Sequence, residues 1–151
     1  SYAKLGRGKD AVDFYTKCIP ENLSSDQDRY KSEPYVYPEY VRGRGGEGFG
    51  QGGHTWLTGT APTMHQSLIE WVFGIQADYD GLVISPAISK DWKEFSVKRD
   101  FRGATYDITV KNPNGVETGV ASITLDGETI EGNTLPAIGD GKTHEVIVTM
   151  G

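Results

Sequence analysis

The sequence predicts an α plus β chain in which helices and long loops come first and short strands follow. Three observations predict this order. Apolar residues at helical spacing lie before about residue 76, strict alternation of apolar and polar residues lies after it, and Asp126-Gly127 has the composition of a tight hairpin turn. We therefore divide the chain into residues 1–76 and residues 77–151.

Two helices are predicted in the first part. One spans about Gly8–Cys18 and ends before Pro20, because apolar residues at spacings of three and four share one of its faces, namely Ala11, Phe14, Tyr15 and Cys18. The other spans about Pro62–Phe73, with Thr60 as its N-cap and Gly74 at its C-terminal cap. We expect the apolar faces of both helices to pack in a core.

The second part predicts a small antiparallel, jelly-roll-like β-sandwich. One strand is indicated by alternating apolar residues at Ala104, Tyr106, Ile108 and Val110. A second strand ends in the Asp126-Gly127 turn, and the last strand alternates at Val146, Val148 and Met150. Short strands separated by turns at this spacing are typical of β-sandwiches.

Composition argues against several classes of partner. The formal net charge is -6 and no basic stripe runs along the sequence, so a nucleic-acid partner is not expected. No apolar run approaches the roughly 18 residues that a membrane-spanning helix needs. The one cysteine, Cys18, is expected to be a buried structural thiol, and the spacing of His54, His65 and His144 predicts no metal site.

Tyrosines and carboxylates are concentrated in residues 32–40, which contain Glu33, Tyr35, Tyr37, Glu39 and Tyr40. Aromatic rings stack on the apolar faces of sugars, and carboxylates accept hydrogen bonds from sugar hydroxyls. The segment is therefore a candidate sugar contact. The alternative is a rigid aromatic loop that packs on the helices.

Glycines dominate residues 43–53, where the GxGxxG pattern of dinucleotide sites occurs twice. We reject a dinucleotide site, because no clear strand precedes these glycines and no helix opens directly after them. A close-packed loop is expected instead. His54 follows the tract and is either a sugar or phosphate contact or a plain loop histidine.

Residues 55–62 lead into the second predicted helix and have the features of an anion site. The first N–H groups of a helix are free and its dipole favours negative charge there. Gly59 allows an anion to approach the backbone, and the Thr58 hydroxyl can donate a hydrogen bond to it. The alternative is an ordinary helix cap built from the neighbouring threonines.

The string Glu33-Pro34-Tyr35-Val36-Tyr37, followed by Trp56-Leu57-Thr58-Gly59-Thr60-Ala61, resembles the cellobiose and chitobiose phosphorylases, glycoside hydrolase family 94. The similarity continues through Phe101–Tyr106 and reaches Glu131-Gly132-Asn133. It implies that residues 1–76 are the last helices and active-site loops of an (α/α)6 barrel. Residues 77–151 would then be the C-terminal β-sandwich of the same enzyme.

The resemblance implies reversible phosphorolysis with inversion. Inorganic phosphate, a substrate rather than a cofactor, would attack a β-linked di- or oligosaccharide such as cellobiose or a cellodextrin and release an α-sugar 1-phosphate. By their positions in the family motifs, Thr58 and Gly59 would contact phosphate. Tyr37, Glu39, Gln51 and His54 would bind substrate. Glu39 stands where cellobiose-specific relatives have Gln, which leaves the acceptor sugar open.

The same resemblance places the general acid upstream of Ser1, so we expect no catalytic residue in this chain and no turnover by the chain alone. The sequence has no initiator Met and begins in what reads as a helix, which also predicts a fragment. The expected partners are the upstream remainder of the enzyme, a β-linked oligosaccharide and phosphate, in a cytoplasmic enzyme that is compatible with the homodimers common in the family. Two alternatives stay open: the phosphorylase-like domain of a cyclic β-glucan synthase, and a non-catalytic carbohydrate-binding module.

Overall fold

The computed structural model describes residues 2–151, which contain few helices and many short strands. The α-helices are α1 Gly8–Cys18, α2 Pro20–Leu23, α3 Gln27–Tyr30 and α4 Thr60–Ser67, and a 3-10 turn spans Ala3–Leu5 and a π-helix Leu68–Val72. The strands are β1 Pro38–Val41, β2 Gly52–Thr55, β3 Ile75–Ala77, β4 Gly81–Ile84, β5 Glu94–Phe101, β6 Ala104–Lys111, β7 Ser122–Leu125, β8 Glu128–Ile130, β9 Thr134–Pro136 and β10 Thr143–Thr149. The α plus β class is thus confirmed, while the (α/α)6 barrel stays a prediction.

The chain divides into two compact units. One comprises the residues up to Val12 together with Leu68–Gly151, and we call it the β unit. The other comprises Asp13–Ser67, and we call it the hairpin unit because its strands are β1 and β2. These units do not follow the boundary between residues 76 and 77, because β3 already pairs with β4 in the β unit. Assignment of the two predicted parts to a barrel and a sandwich stays a prediction.

Two sheets make up the β unit. The larger has the strand order β5-β6-β10-β7-β8, and the smaller has the order β3-β4-β9. The expectation of purely antiparallel pairing is wrong at one place, because β6 and β10 run parallel from Thr105 opposite Thr143 to Lys111 opposite Thr149. A parallel pair needs a long connection, and residues 112–142 provide one.

The core of the β unit is built from the strand positions that alternation predicts. On β6 the predicted inward residues Ala104, Tyr106, Ile108 and Val110 are all buried. On and after β10 the same is true of Val146, Val148 and Met150. Leu82, Ile84 and Leu135 of the smaller sheet belong to the same buried cluster, so both sheets contribute to one core.

Helix boundaries agree with the sequence in one case and differ in another. Helix α1 has the predicted bounds, and Pro20 both follows it and begins α2, where a proline needs no N–H partner. The predicted helix over 62–73 begins instead with Thr60 as its first residue, and it changes to a π-helix at Leu68. There the Phe73 N–H bonds the Leu68 carbonyl at 2.8 Å, a spacing of five residues.

Gly74 lies at the C-terminal end of this helical stretch and has φ of 68°, as the predicted cap requires. A Cβ at this position would lie 2.0 Å from the Ser85 carbonyl oxygen, so glycine is needed for space as well as for backbone angle. Within residues 2–151, no helix is both long enough and apolar enough to cross a membrane.

Candidate functional site

The hairpin unit contains a β-hairpin whose loop is the glycine tract. Strands β1 and β2 pair antiparallel, with Pro38 opposite Thr55 and Tyr40 opposite Gly53. The statement that no clear strand precedes the glycines is therefore wrong: β1 precedes them directly. Strand β2 was not predicted because Gly52-Gly53-His54-Thr55 shows no alternation of apolar and polar residues. A dinucleotide site remains rejected, since a second antiparallel strand and not a helix follows the tract.

Glycines in β2 allow neighbouring side chains to lie directly on the strand. A Cβ at Gly53 would lie 2.4 Å from the Tyr40 hydroxyl oxygen, and a Cβ at Gly52 would lie 2.6 Å from Ser32 Oγ. Any side chain at these positions would displace its neighbours. The backbone of β2 therefore borders an open, polar recess of about 510 Å³, whose lining includes Ser32 and His54.

Glu39 and His54, two of the predicted substrate residues, are brought together across the hairpin. Glu39 Oε2 lies 2.9 Å from His54 Nδ1, and both side chains are exposed. The Tyr40 ring meets the imidazole edge-on, with ring centroids 5.4 Å apart. His54 has φ of 52°, a left-handed conformation that non-glycine residues rarely adopt. The pair presents an acceptor and an imidazole to the solvent side of the unit.

The half-buried Glu33 and the exposed Trp56 form a second pair in the hairpin unit. The Trp56 indole N–H donates to Glu33 Oε1 at 2.9 Å, and the Tyr35 ring meets the indole in a T-shaped contact at 6.4 Å. The indole hydrogen bond is the main cause that lowers the pKa of the Glu33 carboxyl. Trp56 has φ of 70°. Both residues lie in the family motifs; Glu33 was part of the candidate sugar-contact segment, whereas no role was predicted for Trp56.

Thr58 and Gly59 lie at the start of α4, as predicted. The Thr58 hydroxyl oxygen accepts from the Thr60 N–H at 3.0 Å and lies 2.7 Å from the Thr60 hydroxyl oxygen. The Gly59 carbonyl accepts from the Thr63 N–H, which makes it the first acceptor of the helix. A Cβ at Gly59 would meet no atom within 4 Å, so the approach to this helix start is open in the hairpin unit.

Tyr37 and Gln51 have partners other than Glu39 and His54. Tyr37 is half-buried. Burial is the main cause that raises the pKa of its phenol, and a hydrogen bond with Tyr15 raises it further. The backbone of Gln51 closes the glycine loop: its N–H donates to Gly48 and its carbonyl accepts from Arg42. The thiol of Cys18 is partly buried, and burial raises its pKa, in keeping with a structural role.

His144 in the β unit is held between two carboxylates. Its Nδ1 lies 2.7 Å from Asp126 Oδ2, and its Nε2 lies 3.0 Å from Asp140 Oδ1. These contacts, first that with Asp126 and then that with Asp140, raise the pKa of the imidazole. Among residues 2–151, no group of three or more His, Cys, Asp or Glu side chains is arranged to hold a metal ion.

Comparison with known proteins identifies the family. Residues 1–74 match the sequence profile described as the glycosyl hydrolase 94 superfamily, catalytic domain. The chain is 39% identical over 148 residues to an N,N'-diacetylchitobiose phosphorylase of Vibrio proteolyticus, an alignment that covers 98% of this chain and 18% of that relative. Residues 1–74 belong to the glycosyl hydrolase 94 superfamily. The resemblance seen in the sequence is thus confirmed.

Two further relatives extend the comparison. A solabiose phosphorylase of Paenibacillus borealis is 37% identical over 145 residues, covering 96% of this chain and 19% of the relative. A cyclic beta-(1,2)-glucan synthase of Rhizobium meliloti is 32% identical over 98 residues, covering 65% of this chain and 3% of the relative. The chain therefore spans less than a fifth of the length of the phosphorylases it matches. The roles of the predicted site residues within the superfamily stay predictions.

Proposed function

We propose that this chain supplies part of the phosphate and sugar site of an inverting glycoside phosphorylase that cleaves β-linked di- or oligosaccharides. A phosphate oxygen forms the new bond to the anomeric carbon while the glycosidic bond breaks. A general acid from outside this chain gives its proton to the departing sugar oxygen. The products are an α-sugar 1-phosphate and the released acceptor sugar, and the proposed reaction needs no cofactor.

The open start of α4 is the observation that carries the proposal. The N–H groups of the first helical turn have no partners within the helix, and the helix dipole favours an anion beside them. Gly59 leaves room for an oxyanion to reach the backbone. The Thr58 hydroxyl, which now contacts Thr60, lies at the same end of the helix and is available to donate to phosphate after a rotation about its Cα–Cβ bond.

The exposed pair of Glu39 and His54 supports the sugar half of the proposal. A carboxylate accepts hydrogen bonds from sugar hydroxyls, and an imidazole nitrogen donates or accepts according to its tautomer. The Tyr40 ring beside the imidazole adds an aromatic surface. Because the Glu39 and His54 side chains are exposed, whereas Tyr37 is half-buried and bonds Tyr15, we assign direct sugar contact first to Glu39 and His54.

The rest of the enzyme belongs to the same proposal. The upstream remainder would complete an (α/α)6 barrel and contribute the general acid, and the whole would act in the cytoplasm, with a homodimer as the expected assembly. Candidate substrates are β-linked disaccharides of glucose and of N-acetylglucosamine. The two phosphorylases named above differ in the disaccharide in their names, so the superfamily alone does not select the sugar.

The direct test uses the protein encoded by the complete reading frame that contains this chain. It is incubated with cellobiose, cellodextrins and N,N'-diacetylchitobiose, with and without inorganic phosphate, and sugar 1-phosphate is quantified. Phosphate-dependent release of an α-1-phosphate supports the proposal. Hydrolysis that is indifferent to phosphate would refute it, and no release from any of these sugars would refute the candidate substrates.

Two substitutions at one position test the phosphate role of Thr58. Thr58→Val removes the hydroxyl and keeps the shape, whereas Thr58→Ser keeps the hydroxyl. A hydrogen bond to a charged group contributes about 1.5–3 kcal/mol, so Thr58→Val should raise the KM for phosphate roughly 10- to 150-fold. Thr58→Ser should stay close to the wild type. Equal phosphate KM values in both variants would exclude the hydroxyl as a phosphate ligand.

The phosphorylase-like domain of a cyclic glucan synthase is the second candidate. The match to the Rhizobium meliloti protein favours it, although that match covers fewer residues than those to the phosphorylases. The length of the reading frame and the products separate the two. A much longer reading frame whose protein produces cyclic β-glucan would select the synthase.

A further inference from the structure

The backbone is unusual from the end of β2 to the start of α4, over residues 54–59. Two of its non-glycine residues adopt left-handed angles, His54 with φ of 52° and Trp56 with φ of 70°. L residues avoid this region because Cβ crowds the following carbonyl, so surrounding contacts must hold it in place. Residues held in such conformations cluster at functional sites in proteins.

Each of these two residues is held by a carboxylate from residues 32–40. Glu33 accepts from the Trp56 indole N–H at 2.9 Å, and Glu39 lies 2.9 Å from the His54 ring nitrogen. The Trp56 side chain is 68% exposed in this chain, so close packing does not fix its position. The hydrogen bond to Glu33 and the edge contact with Tyr35 are the interactions that orient the indole.

Trp56 stands two residues before Thr58. The one intervening residue, Leu57, is 86% exposed. The direction in which the backbone enters the start of α4 therefore depends on the φ angle of Trp56. A change at Trp56 would move the Thr58 hydroxyl and the Gly59 N–H relative to a ligand held there.

We propose that Glu33 and Trp56 are positioning residues for phosphate: their hydrogen bond fixes the turn before α4 and so aligns Thr58 and Gly59 with the phosphate. This inference rests on the proposed phosphorylase function. Glu33 is thus assigned neither acid-base chemistry nor direct contact with the sugar. The low pKa that the indole bond gives Glu33 agrees with a carboxylate that stays ionised at neutral pH.

The test is a set of variants of the complete enzyme, assayed by varying phosphate and sugar separately. Glu33→Leu removes the acceptor, Trp56→Phe removes the donor and keeps a ring, and Glu33→Gln retains an amide oxygen that can accept from the indole. Glu47→Leu serves as the control, because Glu47 is an exposed acid of the glycine loop with no assigned role.

We expect Glu33→Leu and Trp56→Phe each to raise the KM for phosphate about 2- to 10-fold, the range of one partly exposed hydrogen bond. The KM for sugar should stay unchanged. Glu33→Gln should recover most of the loss, and the double variant Glu33→Leu/Trp56→Phe should be no worse than the more impaired single variant. Circular dichroism identifies any variant that fails to fold. If Glu33→Leu does not fold, the phosphate KM values of Trp56→Phe and Glu33→Gln are compared instead.

Three outcomes would overturn the inference: an unchanged phosphate KM in Glu33→Leu, an increase in the sugar KM alone, or additive losses in the double variant. If the wild type releases sugar 1-phosphate while these variants behave as Glu47→Leu does, the positioning role fails and the proposed function stands. If the wild type shows no phosphate-dependent cleavage, the proposed function fails first and this inference fails with it.

Discussion

Tyr106 offers a sharp test of the β unit, because a single buried oxygen atom holds a loop in place. Its side chain is fully buried, and its hydroxyl donates to the Pro136 carbonyl and accepts from the Ile138 N–H. Tyr106→Phe keeps the ring in the core but leaves both backbone groups without this partner. One hydrogen bond contributes about 0.5–1.5 kcal/mol, so loss of these two should lower the free energy of unfolding of the β unit by about 1–3 kcal/mol.

Native-state amide exchange in β6 and β10 measures this change without requiring the two units to unfold together. A loss of about 1–3 kcal/mol corresponds to roughly 5- to 150-fold faster exchange of their slowest amides. Tyr79→Phe is the matched control, because the Tyr79 side chain is 85% exposed and the same atom is removed. We expect it to change stability by less than about 0.5 kcal/mol. Equal exchange rates in the two variants would refute the reasoning.

Two further predictions concern the same unit. Contacts with two aspartates raise the pKa of His144, so the stability that the charged imidazole contributes is complete below about pH 6.5 and is lost as the pH rises through the raised pKa. The same contacts lower the pKa values of Asp126 and Asp140, so the stability that these carboxylates contribute is lost only as the pH falls below about 3.8. The urea midpoint of the wild type should therefore fall from pH 6 to pH 8 by more than that of His144→Gln, and parallel profiles would contradict this. Gly74→Ala should destabilise the unit by about 1–3 kcal/mol from the clash with the Ser85 carbonyl, plus about 1 kcal/mol from the left-handed angle. Gly46→Ala, with open space and an ordinary φ, should leave the urea midpoint unchanged, and equal midpoints for both alanine variants would show that the clash is relieved elsewhere.

Strands β6 and β10 of the β unit were predictable because burial of one face enforces alternation of apolar and polar residues. On β6 every second residue faces the core, and the pattern of apolar residues records this directly. The parallel pairing of β6 with β10 was not predictable in the same way, because alternation is identical in parallel and antiparallel strands that bury one face. Pairing direction depends on how the connection 112–142 runs, and turn residues within it specify local hairpins rather than its overall course.

The hairpin of β1 and β2 was missed for a different reason. Its partner residues include Gly52 and Gly53, which carry no side chain and so leave no hydrophobic pattern. Their role is to leave space for Ser32 and Tyr40, which is a tertiary requirement that a single sequence does not display. The same limit explains the boundary in the second helix: the change to a π-helix at Leu68 preserves an apolar face and alters only which carbonyl each N–H reaches.

The candidate site shows where sequence reasoning stops. Thr58 and Gly59 were predicted as phosphate contacts because a helix start favours anions and because both match the family motif, and this role stays a prediction. The contacts that hold the backbone before this helix start were not predicted, because the left-handed φ angles of His54 and Trp56 oppose the intrinsic preference of both residues. Contacts distant in sequence stabilise them, among them Glu39 with His54 and Glu33 with Trp56. If the proposed phosphate role is right, removal of a distant carboxylate should lower phosphate affinity, although Thr58 and Gly59, the proposed phosphate contacts, are unchanged.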